Sequence, residues 1–294
     1  MTSVLLTGAS GYAGAAIRVA LERAGMSVIT AGRRPGDDLP LDLLSPMHMP
    51  TLPSGIDACV HAAAAHEILC RNDTVAAFTA NVTATRALVR ACDTAGIGQI
   101  VYLSTFHVFG APRGDLTEDA VPVPGNDYGL THYLAEQTLS LLKGRATVLR
   151  PANLFGTPAV WDTFDRWTLA PFDFARTAIR EGRIRLQSDG SPIRNYVSLE
   201  RLKAAVLAAL SGELPPVTHV AGRPWSMHEL AMLSADVARE LTGRATTVSL
   251  GTVVPNEAPY TFRSLHGASE ADDDGATMRA FVRAVMTRLM ETAQ

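Results

Sequence analysis

The sequence predicts an α/β chain: a doubly wound parallel sheet with a smaller, mixed C-terminal lobe. Three observations carry that expectation. Short apolar runs alternate with helix-periodic stretches from Val4 to about residue 155, the pattern of strands joined by crossover helices. A glycine-rich turn sits between the first apolar run and the first helical stretch. Beyond residue 156 the alternation gives way to prolines, aromatics (Trp161, Phe164, Trp167, Phe172, Phe174) and arginines.

Composition agrees with this class. The chain has 294 residues, 47% hydrophobic and 19% charged, enough for a sizeable core and against wholesale disorder. The net charge is −3, with no dense Lys/Arg block, so no nucleic-acid partner is expected. Cys59, Cys70 and Cys92 are odd in number and unpatterned, which suits reduced thiols better than a disulfide frame. The histidines show no ligand spacing with cysteines or carboxylates, so no metal is expected. No apolar run reaches the length of a membrane span. A strand pattern begins at Val4, leaving no room for a signal peptide. The expectation is a soluble cytoplasmic protein.

In order, Val4-Leu5-Leu6 reads as a buried strand, followed by Thr7-Gly-Ala-Ser-Gly11-Tyr-Ala-Gly14 and a helix carrying Ile17, Val19 and Leu21. A glycine triplet alone is an ordinary turn, but between strand and helix it is a dinucleotide-binding candidate. Gly8 permits the tight turn, Gly11 lets backbone approach a pyrophosphate, and Gly14 allows close helix–strand packing. Tyr12 and Ala13 then open a helix whose free N–H groups suit phosphate. The second strand, Ser27–Ala31, ends in Gly32-Arg33-Arg34. An acidic residue there would suit the ribose 2′-hydroxyl of NAD; the arginines favour the 2′-phosphate of NADP. Asp42-Leu43, after a third short strand, is placed to reach an adenine.

The stretch Asp57–Ala65 reads as a buried strand ending in small residues, Ala62, Ala63 and Ala64 among them, with His61 a packed strand residue. A helix is predicted from about Phe78 to Ala95, with Val82, Leu88, Val89 and Cys92 inward and Arg86 and Arg90 outward. Gln99–Thr105 forms a strand with hydroxyls at its carboxyl end, the edge where open α/β sheets bind ligands. Tyr128-Gly-Leu-Thr-His132 opens a helix, and residues four apart share a helix face, so phenol and imidazole stack one turn apart. Ala146–Arg150 is a strand ending in Pro151-Ala-Asn153. Arg194–Val197 precedes a helix with Leu199, Leu202, Val206 and Leu210 inward, and Val217–Ala221 is one more strand of the main sheet. The tail holds a helix around Met227–Leu241, an acidic loop at Glu270–Asp274 and a final helix. Residues 1–156, rejoined by 194–222, are expected to form the dinucleotide-binding domain. Residues 157–193 and 223–294 are expected to form the substrate-binding lobe.

These motifs together resemble the extended short-chain dehydrogenase/reductase family of the nucleotide-sugar epimerase/dehydratase type, a Rossmann-fold family. The resemblance runs through Thr7–Gly14, Asp42-Leu43, His61-Ala-Ala-Ala64, Asn81, Ser104-Thr105-Phe-His-Val-Phe-Gly110, Tyr128-x-x-x-His132, Arg150-Pro-x-Asn-Leu-Phe-Gly156 and Arg194-Asn-Tyr-Val197. It implies hydride transfer between a nicotinamide ring and a carbon bearing an alcohol or ketone. It places Thr105 on the substrate oxygen and Tyr128 as the acid/base. Asn153 and Arg194 match contacts to a substrate diphosphate, a task suited to the arginine fork. His107, two residues past Thr105, is a candidate second acid/base. Relatives commonly pair as homodimers through two helices of each subunit.

The departure is His132, where the family pattern has lysine. That lysine holds the nicotinamide ribose and lowers the tyrosine's pKa. Free Tyr titrates near ~10, so reaching ~7 needs ~4 kcal/mol. An unperturbed His, with pKa ~6.5, is about one-quarter protonated at pH 7 and supports a tyrosinate only in part. Lys143 cannot replace it, because fifteen helical residues would carry it ~22 Å from Tyr128. An NADP(H)-dependent reductase of a nucleotide-activated keto-sugar asks least of His132, since Tyr128 then starts protonated. A nucleotide-sugar epimerase with bound NAD(P), and a non-catalytic NADP(H)-binding sensor, stay open. A dehydratase would carry an Asp-Glu pair where Phe106 and His107 stand.

Overall fold

The computed structural model describes residues 1–254, 256–266 and 274–292. The first half builds β1 (Ser3–Thr7), α1 (Tyr12–Arg23), β2 (Ser27–Gly32), β3 (Leu39–Pro40), β4 (Ala58–His61), α2 (Glu67–Asn72), α3 (Thr74–Phe78), α4 (Ala84–Ala95), β5 (Gln99–Leu103), β6 (Gly114–Leu116) and α5 (Asp127–Thr138). Then come β7 (Arg145–Pro151), β8 (Asn153–Phe155), α6 (Ala170–Glu181), β9 (Arg183–Arg185), β10 (Ile193–Ser198) and α7 (Leu199–Ser211). The chain continues through β11 (Val217–Val220), β12 (Arg223–Ser226), α8 (Met227–Thr242), β13 (Thr247–Ser249), β14 (Tyr260–Phe262) and α9 (Asp274–Glu291). The predicted acidic loop lies almost wholly outside the described residues.

The main sheet has seven strands in the order β11-β7-β5-β4-β1-β2-β3, and every neighbouring pair is parallel. Strand β1 shows why. Val4 and Leu6 point to one core with α1 and α7, and Leu5 points to the other with α4 and α5. A strand apolar on both faces needs helices on both. The strand order reverses between β1 and β4, which opens a crevice at their carboxyl ends. A separate core gathers α6, α8 and α9, with Phe155 and Phe172 fully buried in it. Burying such a side chain stabilises by ~1.5–3 kcal/mol. Strands β8, β10 and β12 form a second sheet, which sends Val197 into the core of α1 and α7 and Phe155 and Tyr196 into the core of α6, α8 and α9.

Three expectations shift. The helix predicted from Phe78 starts at Thr74, where the Asp73 carboxylate caps it by accepting from the Ala76 N–H. It also contains a π-turn, Thr79–Thr83. The inserted residue changes which side chains face in: Asn81 is buried, while Val82, expected inward, is half-buried. The cause is tertiary, because Asn81 is pulled inward by its hydrogen bonds. Residues 157–193, read as irregular, contain α6, which has a proline in its first turn where its missing N–H costs nothing. Finally, α5 ends at Thr138, so the helix does not run on to Lys143.

Candidate active site

The glycine turn behaves as its sequence requires. Gly8 has a left-handed φ of 73°, and a Cβ there would sit 2.7 Å from the Ala63 backbone nitrogen. A Cβ on Gly14 would overlap the Gly8 carbonyl. Beside this turn lies a cleft of about 520 Å³, lined by Gly8, Gly11, Arg33, Arg34, Asp42, Leu43, Ala62, Ala63 and Ala64, among others. These predicted cofactor residues therefore share one wall system. Small residues leave backbone approachable, and two exposed arginines stand at one end. The donor set fits an extended diphosphate-bridged ligand.

Tyr12 opens α1 as expected, and its side chain is engaged with the aromatic residues of the C-terminal core. Its ring packs edge-on against Phe164 and Phe172, and its hydroxyl donates to the Gly156 carbonyl at 2.8 Å. Its side chain ties the core of α1 and α7 to the core of α6, α8 and α9, while its backbone follows the glycine turn. Asn81 sits beneath the cleft. Its Oδ1 accepts from the Ala65 N–H at 2.6 Å, and its Nδ2 donates to the Thr131 hydroxyl at 2.9 Å. It fastens the alanine loop to α5. Pro151 closes β7, paired with Val220.

Helix α5 starts at Asn126, whose side chain caps it by accepting from the Gly129 N–H at 2.9 Å. Gly129 is needed for a second reason: a Cβ there would overlap the His107 carbonyl. This close approach sets Tyr128 against the turn holding Thr105 and His107. Burial holds the Tyr128 phenol above its ordinary pKa, and the nearby Thr105 hydroxyl pulls it down only in part. Tyr128 also packs edge-to-face with His107, with ring centroids 5.6 Å apart, and with His132 at 4.8 Å. The predicted stacking of Tyr128 and His132 is present. His107 is half-buried and its pKa is lowered, chiefly by burial.

His132 is not the partly charged group expected from an unperturbed imidazole. It is 3% exposed, and burial lowers its pKa to about 3, so it is neutral at pH 7. Its Nδ1 bonds the Tyr102 hydroxyl at 2.8 Å, while its buried Nε2 has no partner among the described residues. One turn further along α5, Glu136 makes a buried pair with Arg150, Nη2 to Oε2 2.7 Å, and accepts from the Ser104 hydroxyl at 2.5 Å. Tyr102, Glu136 and Arg150 were not singled out from the sequence as site residues. The signal for Glu136 was its spacing, since Tyr128, His132 and Glu136 repeat every four residues.

The two residues expected at a substrate diphosphate, Asn153 and Arg194, both have protein partners. Arg194 makes a two-pronged pair with Glu257, at 2.6 and 2.7 Å. The Asn153 Nδ2 donates to the Asn195 carbonyl at 2.9 Å. Arg194 lies close enough to His107 to help depress its pKa, so it does border the turn that carries Thr105 and His107. Among the described residues no His/Cys/Asp/Glu group is arranged to hold a metal ion, and no helix is long and apolar enough to cross a membrane.

Known proteins place this arrangement. A UDP-glucose 4-epimerase of Azospirillum brasilense is 30% identical over 246 residues, covering 70% of this chain and 68% of that protein. A 2-alkyl-3-oxoalkanoate reductase of Stenotrophomonas maltophilia is 31% identical over 223 residues, 70% of this chain and 63% of its own length. Among solved structures, MoeE5 in complex with UDP-glucose and NAD superposes with a TM-score of 0.77 at 22% identity, covering 98% of this chain and 99% of its own. A Bacillus cereus UDP-glucuronic acid 4-epimerase with UDP-glucuronic acid and NAD gives 0.77 at 19%, covering 98% and 100%. The profile of the NAD dependent epimerase/dehydratase family matches residues 4–220. The chain belongs to that family.

Proposed function

We propose that this chain is a nicotinamide-dependent oxidoreductase that reduces a keto group on a nucleotide-activated sugar. One observation carries the direction: Tyr128 keeps its proton beside Thr105, with burial raising its pKa and no charged residue at position 132 to oppose it. A group that starts protonated donates to a carbonyl oxygen as it becomes a hydroxyl. Thr105 orients that oxygen, and Glu136 with Arg150 holds the underlying strand end through Ser104. A nicotinamide dinucleotide held in the cleft would supply the hydride. His132, through its spare Nε2, is suited to a ribose hydroxyl by hydrogen bonding without charge.

The substrate class is supported by the solved neighbours, which carry UDP-glucose or UDP-glucuronic acid. Arg33 and Arg34 suit NADP(H), whereas those neighbours carry NAD. We read residues 1–156 with 194–222 as the cofactor-binding part, and 157–193 with 223–294 as the substrate lobe. A second reading, epimerase, is favoured by the matched family and by the Azospirillum relative.

The test is titration with NADH and NADPH, then turnover on a panel of nucleotide-activated keto-sugars. Tyr128→Phe should lower turnover by at least ~10²-fold, the usual worth of a positioned acid, with cofactor affinity retained. Interconversion of sugar epimers without net cofactor oxidation supports the second reading. Turnover that survives Tyr128→Phe would overturn both.

A further inference from the structure

The end of β2 presents a contradiction. Gly32, where an acidic residue would serve NAD, carries no side chain, and Arg33 and Arg34 follow it, exposed and lining the cleft. The space beside Gly32 is nonetheless filled. A Cβ on Gly32 would overlap the Asp37 carboxylate, which folds back over that α-carbon. It is held there at both ends of a tight turn. The Arg34 N–H donates to Asp37 Oδ2 at 2.9 Å, and the Asp37 N–H donates to the Arg34 carbonyl at 3.0 Å. The next residue anchors the turn on the strand: Asp38 Oδ2 accepts from the Thr30 N–H and hydroxyl, both at 2.8 Å. Only glycine at position 32 leaves room for this carboxylate.

We infer that Asp37 sets the choice between NAD(H) and NADP(H), delivering from the turn the carboxylate that β2 does not carry. The inference rests on the reading that this cleft holds a nicotinamide dinucleotide. A carboxylate at this edge accepts a hydrogen bond from a ribose 2′-hydroxyl and repels a 2′-phosphate. The guanidinium groups of Arg33 and Arg34 act in the opposite sense, as charged donors to phosphate. Asp37 therefore offsets the arginines, and the cofactor preference read from the arginines alone is too strong.

The experiment is fluorescence titration of the full chain with NADH and with NADPH, for wild type and Asp37→Asn. The amide keeps an oxygen for the Arg34 N–H, so the turn is retained while the charge is removed. The ratio of NADPH to NADH affinity should rise at least tenfold, with NADH itself weakened. Arg34→Gln should move the ratio in the other direction. A ratio in Asp37→Asn that is unchanged or lower, with both cofactors still binding, overturns this inference alone. Binding of neither cofactor to the wild-type chain overturns it together with the proposed function.

Discussion

His61 and His132 both pack beside Tyr102, with ring centroids 5.4 and 6.0 Å from it. Both are almost fully buried, and burial lowers both pKa values, to about 4 and about 3. They differ in what their nitrogens touch. Around His61 every proton has an assigned place. The Thr85 hydroxyl donates to the Asn81 carbonyl at 2.6 Å and so accepts from His61 Nε2–H at 3.0 Å; Nδ1 then accepts from the Thr7 hydroxyl at 2.7 Å. His132 has one nitrogen on Tyr102 and one without a partner among the described residues. Burial and charge state cannot tell a structural histidine from a site histidine here. Spare hydrogen-bonding capacity narrows the choice to His132 and His219, whose Nε2 atoms are both buried without a partner among the described residues, and of these it is His132 that packs on Tyr128.

The largest effect tests what the two share. A histidine whose folded pKa lies below its unfolded value of ~6.5 binds more protons when unfolded. Its contribution is therefore complete above about pH 6.5 and is lost as pH falls toward the folded value. His61, His132 and His219, the last also lowered to about 4 by burial, should each remove on the order of 3 kcal/mol over that window. Urea midpoints measured from pH 7 to pH 4 should fall steeply. A flat profile would mean that these imidazoles are hydrated and not buried.

A smaller effect separates the two. His61→Ala leaves a cavity and takes one hydrogen bond from each of two threonine hydroxyls, and should cost ~2–4 kcal/mol in urea unfolding. His132→Leu removes an unpartnered nitrogen while depriving Tyr102 of its bond, so its cost should stay near ~1 kcal/mol. Equal losses would mean that His132 is as fully bonded as His61.

The smallest expected effect is a null. Because His132 is already neutral, the pH–rate profile of the wild-type chain should show no inflection near pH 6.5 assignable to it. An inflection that vanishes in His132→Gln would show that this imidazole takes up a proton in the working protein, and the contrast with His61 would then be one of charge.

What could be read from the sequence was local. Gly8, Gly11 and Gly14 announce a turn because the requirement for no side chain is met within seven residues. Tyr128 and His132 announce a shared face because helical spacing is short-ranged. The pairings that give the site its character span distances no pattern encodes: Tyr102 with His132 across 30 residues, and Arg194 with Glu257 across 63. The charge state of His132 was misjudged for the same reason, since burial is a property of the folded neighbourhood. The π-turn was illegible because it serves Asn81's partners, Ala65 and Thr131, and not any preference of residues 79–83.

That turn has a further consequence. A regular helix transmits phase, so a change at one end rotates every side chain after it relative to the first. The extra residue at Thr79–Thr83 breaks that transmission. Upstream, α3 takes its orientation from the Asp73 cap; downstream, α4 takes its own from Leu88, Val89 and Cys92 against the sheet. The chain has one continuous helical path here but two independent angular references. Asn81 stands at the seam between them, so neither reference alone decides where it points.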